Sequence, residues 1–339
     1  MIQQIQTLWP SLIPNHPKIE IIQPISESRF HSVWKITTTD HHMFALKHHM
    51  FAHLTQNKPY DFIAVENEVT PLLLKENVSV PQIIATHPEH GFTIYEWCGE
   101  ETLDDHCQQH STPPLTNKVI ETIVALERGF QKHTATLQSR IAPGGNIQDV
   151  QTTFSDTLVS LTNVLPDLIH TLTQQTPPNL STQWHTLCQH IQETPLTLGP
   201  TDYNARNIVF SPTQTPSILE LSKIGYDWPE RRLIQYTTSL GAHLATGHII
   251  GLITPKNAAQ YAQKSATHRT VSADQILTHL DMHHLIFHLL AALQCLQAST
   301  QPNHPWKNIN TRLNDIQTAL AMPLSQMPST LFFRRLFQS

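Results

Sequence analysis

Residues 199–210 read GPTDYNARNIVF. An aspartate, Asp202, stands five residues before an amide, Asn207, and the stretch ends in the apolar run Ile208-Val209-Phe210. Polar turn residues running into an apolar segment describe a loop that feeds a buried strand. The apolar runs NIVF (207–210) and SILEL (217–221) flank the turn SPTQTP (211–216), which predicts a β-hairpin. Closing that hairpin brings Asn207 and Glu220 together as oxygen donors of the kind Mg2+ favours. Asp202 can accept the proton of an attacking hydroxyl.

Upstream, KIEIIQPI (18–25), FHSVWKITT (30–38) and HMFALKH (42–48) alternate and are joined by short turns. They predict three strands of an antiparallel meander. Val65, Val69, Leu72 and Leu73 recur at helical spacing and predict a helix over about 61–76, against the grain of Pro71. Two strand-like runs follow, at 82–86 and 91–96, giving the order β-β-β-α-β-β. After Gly99 the pattern turns helical, over 116–134, 150–175 and 181–194, with the loop APGGN at 142–146. From Asp227 onward the chain is again helical. The expectation is an α+β chain with a small β-rich N-lobe over 1–97 and a larger, mainly helical C-lobe over 98–339.

Two further chemical pieces precede the loop. Lys47 ends the apolar strand FALK, where an ammonium can face a cleft and meet phosphate oxygens. Glu66 and Glu68 lie on the following helix. They are two residues apart, so they project from different faces and only one can turn toward Lys47. A base, an amide and a carboxylate at the metal, and a lysine on the phosphates are the division of labour of kinase phosphoryl transfer.

In that order and spacing the chain resembles the aminoglycoside phosphotransferase and choline-kinase branch of the protein-kinase-like fold, over most of residues 18–240. DYNARNIVF is similar to that branch's D-x-x-x-x-N loop. ILELSKIGYDWPERRL resembles its metal-binding strand followed by a small-residue turn and D-x-P. TIYEWCGEETLDD resembles the interlobe hinge and the helix after it. The resemblance implies Asp202 as the catalytic base, Asn207 and Glu220 as metal ligands, and Lys47 as the phosphate anchor. It implies Glu68 rather than Glu66 as the partner of Lys47, and the backbone at Glu96 and Cys98 as the adenine contact. ATP and Mg2+ are the implied cofactors, and the implied reaction is phosphorylation of a small-molecule hydroxyl, on an aminoglycoside-, amino-alcohol- or sugar-like acceptor. Three positions depart from the pattern. The turn expected over the phosphates, ISESRF, has no glycine, although Ser26 and Ser28 can donate hydroxyls. Pro200 replaces the usual histidine two before the base. Glu220 stands where the family has a metal-binding aspartate. These departures motivate the alternative of a catalytically silent kinase-like binding protein.

Composition bounds the rest. With 339 residues, net charge −5 and 14% charged residues, nothing suggests a nucleic-acid footprint. Four widely spaced cysteines, none in a CxxC pair, predict reduced thiols and a cytoplasmic protein. The N-terminus shows no secretory signal, and LIFHLLAALQCL is too short for a membrane span. The 23 histidines include the i,i+4 pairs His279/His283 and His284/His288, a weak basis for a metal site. Asp227-Trp228-Pro229-Glu230 reads as a helix start with Asp227 at the N-cap. Arg206 reads equally as a phosphate contact or a surface residue. Glu100, Glu101, Asp104 and Asp105 read as a solvated helix start, with attraction of an amine-bearing substrate as the rival. The tail TLFFRRLFQS reads as a helix packed on the body rather than on a membrane. The substrate pocket is expected from the helices after 230. Oligomeric state has no signature.

Overall fold

The computed structural model describes residues 2–13, 17–27, 31–110, 116–238, 253–301 and 308–338. Five alternating segments form one antiparallel sheet: β1 (Ile19–Glu27), β2 (His31–Thr38), β3 (Met43–His49), β4 (Ile83–His87) and β5 (Phe92–Glu96). Their order is β1-β2-β3-β5-β4, all neighbours antiparallel. The register opposes Val33 to Lys47 and Lys47 to Thr93, so these three share a face. The other face carries Trp34, Ile36, Phe44, Leu46, Phe92 and Ile94, all buried.

That second face is covered by α1 (Ile2–Leu12), which sequence reasoning missed. Ile5, Trp9 and Leu12 recur at three- and four-residue spacing and are buried on the sheet, with Trp9 edge-on to Phe44 at 5.7 Å. Each such buried side chain contributes on the order of 1.5–3 kcal/mol. The signal was present, but Pro10 and the short segment obscured it.

After the four-residue α2 (Ala52–Thr55) comes α3 (Phe62–Lys75), close to the expected bounds. Asp61 starts it by accepting from the N–H groups of Ile63 and Ala64, each at 3.0 Å. Pro71 does not end the helix; it sits on the exposed side while Val65, Val69 and Leu73 are buried.

The larger part begins with β6 (Glu101–Thr102) and α4 (Leu103–His110). Three long helices follow: α5 (Asn117–Leu137), α6 (Ile147–Thr173) and α7 (Leu180–Gln192). Thr116 and Asn146 cap the first two with their side chains. Gly129 of α5 admits α3 closely, since a Cβ there would lie 2.8 Å from Leu73. Next come β7 (Thr197–Pro200), β8 (Ile208–Phe210), β9 (Pro216–Ile218) and β10 (Ile224–Asp227). β8 and β9 pair as the expected hairpin, with Ile208 opposite Ile218, and β7 pairs with β10. The remaining helices are α8 (Pro229–Thr237), α9 (Pro255–Ser265), α10 (Ala273–Ser299), α11 (Ile309–Ala321) and α12 (Pro328–Leu336).

By length and composition α10 is long and apolar enough to cross a membrane, although most of it is buried in the protein. Its surroundings are those of a core helix. Ile276 and Leu280 join the core under α3 and α5, and Met282, Leu285 and Leu289 join a second core with α6, α7 and α12. The tail packs on the body as expected: Arg334 of α12 is fully buried, 2.7 Å from Asp281 of α10, and it donates to the carbonyls of Ala319 and Leu320. His283, His284 and His288 of α10 are core residues. His288 Nδ1 donates to the His284 carbonyl at 2.7 Å, and burial pushes His283, His284 and His288 down toward neutrality. Among the described residues no group of three or more His, Cys, Asp or Glu side chains could hold a metal.

Candidate active site

Lys47 leaves β3 on the face of the sheet opposite α1 and is buried. Its Nζ lies 2.7 Å from Glu220 Oε2. Burial works against its charge, but Glu220 and Glu66 outweigh burial and raise its pKa, so it stays an ammonium. Glu66 is buried on α3, where the Tyr95 hydroxyl donates to it and His49 Nε2 lies 3.5 Å away. Burial alone would push its carboxyl up; Lys47 and the neighbouring His49 and Tyr95 outweigh that and hold it at about 2. Glu68, expected as the partner of Lys47, faces elsewhere and is bound by Arg140 Nε at 2.6 Å. The correction follows from helix geometry: residues two apart diverge by about 200°, and the face next to the buried Val65 and Val69 belongs to Glu66.

The loop between β7 and β8 is tied by its own side chains. Asn204 caps the short 3-10 turn Ala205–Asn207 by accepting from the Arg206 N–H at 3.0 Å. Asn207 Nδ2 donates to the Asp202 carbonyl at 2.7 Å, and Leu219 N–H donates to the Asn207 carbonyl at 2.8 Å. Those two bonds place Glu220 beside the loop. Glu220 itself has φ +62°, a left-handed conformation that costs a non-glycine residue roughly 1 kcal/mol or more and is typical of functional sites. Asp202 is exposed at the surface of this loop. Its pKa is raised, first by partial desolvation and then by the charge of Glu220. His31, at the start of β2, faces the same group: burial lowers its pKa while Glu220, Lys47, His49 and Asp202 all act on it. Sequence reasoning did not single out His31 because it stood among many histidines. The glycine-free turn ISESRF falls partly outside the described residues, from Ser28 to Phe30.

Where the sheet hands over to the helical part, the Glu96 N–H donates to the Gln82 carbonyl at 2.9 Å. The Glu96 carbonyl faces the Cys98 thiol at 3.8 Å, and burial pushes that thiol up to about 11, so it stays protonated. Gly99 follows at φ +135°, and a Cβ there would meet the Phe210 carbonyl oxygen at 1.9 Å. Only glycine lets this crossing lie against β8.

The acidic segment after it is internally paired. Glu100 binds Lys35, Glu101 lies 3.1 Å from His106, and Asp105 accepts from Thr102. Asp104 is buried, 3.5 Å from Arg206 Nε, so Arg206 is a partner of this segment. Asp227 is not the N-cap of α8. That position is Trp228, with Pro229 in the first turn, and the Asp227 carboxylate accepts from the Trp228 N–H at 2.8 Å, from Arg231 Nη1 at 3.2 Å and from the Tyr203 hydroxyl. Glu230 is fully buried and pairs with Arg269 at 2.7 Å.

A cavity of about 260 Å3 opens beside the loop, lined among others by Phe154, Thr201, Tyr203, Asp227, Arg231 and Leu290. Among the described residues its walls come mainly from residues 142–157 and the loop itself, with Arg231 and Leu290 from the helices after 230.

The donor set suits a divalent cation. With the Asn207 nitrogen held by the Asp202 carbonyl, its Oδ1 is the atom left to ligate, and Glu220 adds a carboxylate whose backbone is already fixed. An amide oxygen and a carboxylate beside an ammonium are hard donors matched to a phosphate-bound cation.

No family model matches the chain, and no curated protein matches its sequence. Solved structures do match its fold. A macrolide 2'-phosphotransferase from Brachybacterium faecium superposes with TM-score 0.54 at 11% identity, over 92% of this chain and 98% of the other. A choline/ethanolamine kinase family protein from Mesorhizobium loti gives 0.52 at 10% identity, over 99% of each chain. An amicoumacin kinase, solved with AMP-PNP, Ca2+ and its antibiotic, gives 0.52 at 12% identity, over 97% and 96%. The chain therefore has the bilobal kinase-like fold of the aminoglycoside phosphotransferase and choline-kinase group: a small antiparallel sheet joined to a larger helical part.

Proposed function

We propose that this protein is a phosphotransferase that moves the γ-phosphate of ATP to a hydroxyl of a small molecule, with a divalent cation such as Mg2+. One observation carries the reading: Lys47 and Glu220, 173 residues apart, meet at 2.7 Å beside Asp202 and Asn207. In this reading residues 1–97 bind the nucleotide and 98–339 supply the catalytic loop and acceptor pocket. The four free cysteines suit a reducing cytoplasm.

Lys47 holds phosphate charge, and Glu66 keeps Lys47 ionised from behind. Asn207 and Glu220 hold the cation, which when bound neutralises charge on the transferring phosphate. Glu96 and Cys98 present backbone to the adenine. Asp202 orients the acceptor hydroxyl and takes its proton. Its raised pKa brings the carboxylate closer to the hydroxyl in basicity, which is the direction that favours proton transfer.

A catalytically silent binding protein is the second reading. What favours it is the same ion pair, since Lys47 and Glu220 satisfy each other, together with a glutamate in left-handed conformation at the metal position. Incubation with Mg2+ and γ-labelled ATP across a panel of hydroxyl compounds separates the two. Transfer by the wild type that is lost in Asp202→Asn supports the enzyme. Nucleotide binding with no transfer to any acceptor supports silence.

A further inference from the structure

The charge of the cavity beside the catalytic loop narrows the acceptor class, on the phosphotransfer reading above. The chain has 26 acidic residues, and one of them, Asp227, lines the cavity. That carboxylate already accepts from Trp228, Arg231 and Tyr203. The acids of the 100–105 segment are each paired, and Asp149 on the first turn of α6 accepts from the Asn146 side chain at 2.6 Å. Away from Asp202, an ammonium in this cavity would shed water with no uncommitted carboxylate among the lining residues to receive it, which is unfavourable.

The cationic side is different. Arg231 uses Nη1 on Asp227 and stacks its guanidinium 5.9 Å from the Phe154 ring. Its other N–H donors have no partner among the described residues. Asp227 and Phe154 thus fix a guanidinium whose free edge is available to a planar oxyanion, the geometry at which arginine excels. Lys223 adds positive charge near Asp202. The cavity, about 260 Å3, has room for a small acceptor.

We infer that the acceptor is a small hydroxy acid: its hydroxyl meets Asp202, and a carboxylate or similar oxyanion at its far end is held by Arg231. Amine-bearing acceptors are disfavoured. In the transfer, the acceptor oxygen forms the bond to the γ-phosphorus, the bond to the bridging oxygen of ADP breaks, and the hydroxyl proton passes to Asp202.

Ligand-observed NMR on the full chain, with and without Mg2+ and AMP-PNP, tests this with matched probes: glycerate, glycerol and serinol, then glucuronate, glucose and glucosamine. In each set the acid is expected to bind at least tenfold tighter than the amine. Arg231→Gln is expected to erase that preference, with a native circular-dichroism spectrum and a cooperative melt showing that the fold is intact. Tighter binding of the amines, retention of the acid preference in Arg231→Gln, or binding of no probe at all overturns the inference. Absence of nucleotide binding with the acid preference intact sinks the phosphotransfer reading and leaves the anion site standing.

Discussion

Lys47 Nζ and Glu220 Oε2 lie 2.7 Å apart and join the small sheet to the helical part. Both side chains are largely buried, so removing one leaves the other uncompensated, at a cost of roughly 3–5 kcal/mol. Lys47→Met alone is expected to lower the melting temperature by several degrees. Lys47→Met combined with Glu220→Gln is expected to recover part of that loss, with Glu66 still deprived of its cation, and not to recover phosphotransfer. Calorimetric melting of the two variants, paired with a transfer assay, reads both halves.

Glu66 and Glu68 give opposite expectations although they are near neighbours. Glu66→Gln should reduce both stability and activity, since it removes the charge behind Lys47. Glu68→Gln should change melting by no more than a degree or two, because its pairing with Arg140 is half exposed. The pH dependence has a definite sign. The folded pKa of Glu66, about 2, lies below its ordinary value of 4.5, so its contribution is full above about 4.5 and is lost as pH falls toward 2. Acid unfolding of Glu66→Gln should lose the corresponding slope.

Glu127 behaves in the reverse sense. It is buried between α5 and α9, accepts from the Tyr261 hydroxyl at 2.6 Å, and burial pushes its carboxyl up to about 7. A raised carboxyl favours the protonated folded state, so its contribution is present below about 4.5 and is lost as pH rises through 7. Glu127→Gln, which mimics the protonated form, should melt a few degrees above wild type at pH 8.5 and close to it at pH 5. Thermal melts across that range check this.

Asp202 carries the chemistry in this account. Asp202→Asn should lower kcat by at least about a thousandfold while leaving nucleotide binding within a factor of about three. Because desolvation and Glu220 raise its pKa, carbon-13 NMR should show its carboxyl titrating above the ordinary aspartate value, and lower again in Glu220→Gln. An unshifted carboxyl in the wild type would contradict the electrostatic description of the loop.

The strands of the N-terminal sheet, α3 and the hairpin at 208–218 were legible because alternation and helical spacing act over a few residues; the strand order and register were not, since they depend on pairing between distant segments. The choice between Glu66 and Glu68 was not legible. It depends on how α3 is rotated against β3 and β5, which is set by Tyr95, His49 and the close approach at Gly129. Likewise Asp227 looked like a cap because caps are local, whereas its real partners Tyr203 and Arg231 arrive from the loop and from the next turn. The cavity walls at 142–157 were invisible for the same reason: nothing in APGGN or α6 by itself points to Asp202.

The central claim is that Lys47, Asn207 and Glu220 form a cation-dependent nucleotide site. It is tested most directly by AMP-PNP binding, followed by melting temperature with and without Mg2+, in wild type, Lys47→Met and Glu220→Gln. The account predicts Mg2+-dependent stabilisation of the wild type by several degrees at saturating nucleotide, lost in Lys47→Met and no longer responsive to Mg2+ in Glu220→Gln. No stabilisation of the wild type by nucleotide, or an equal shift in all three proteins, would contradict it.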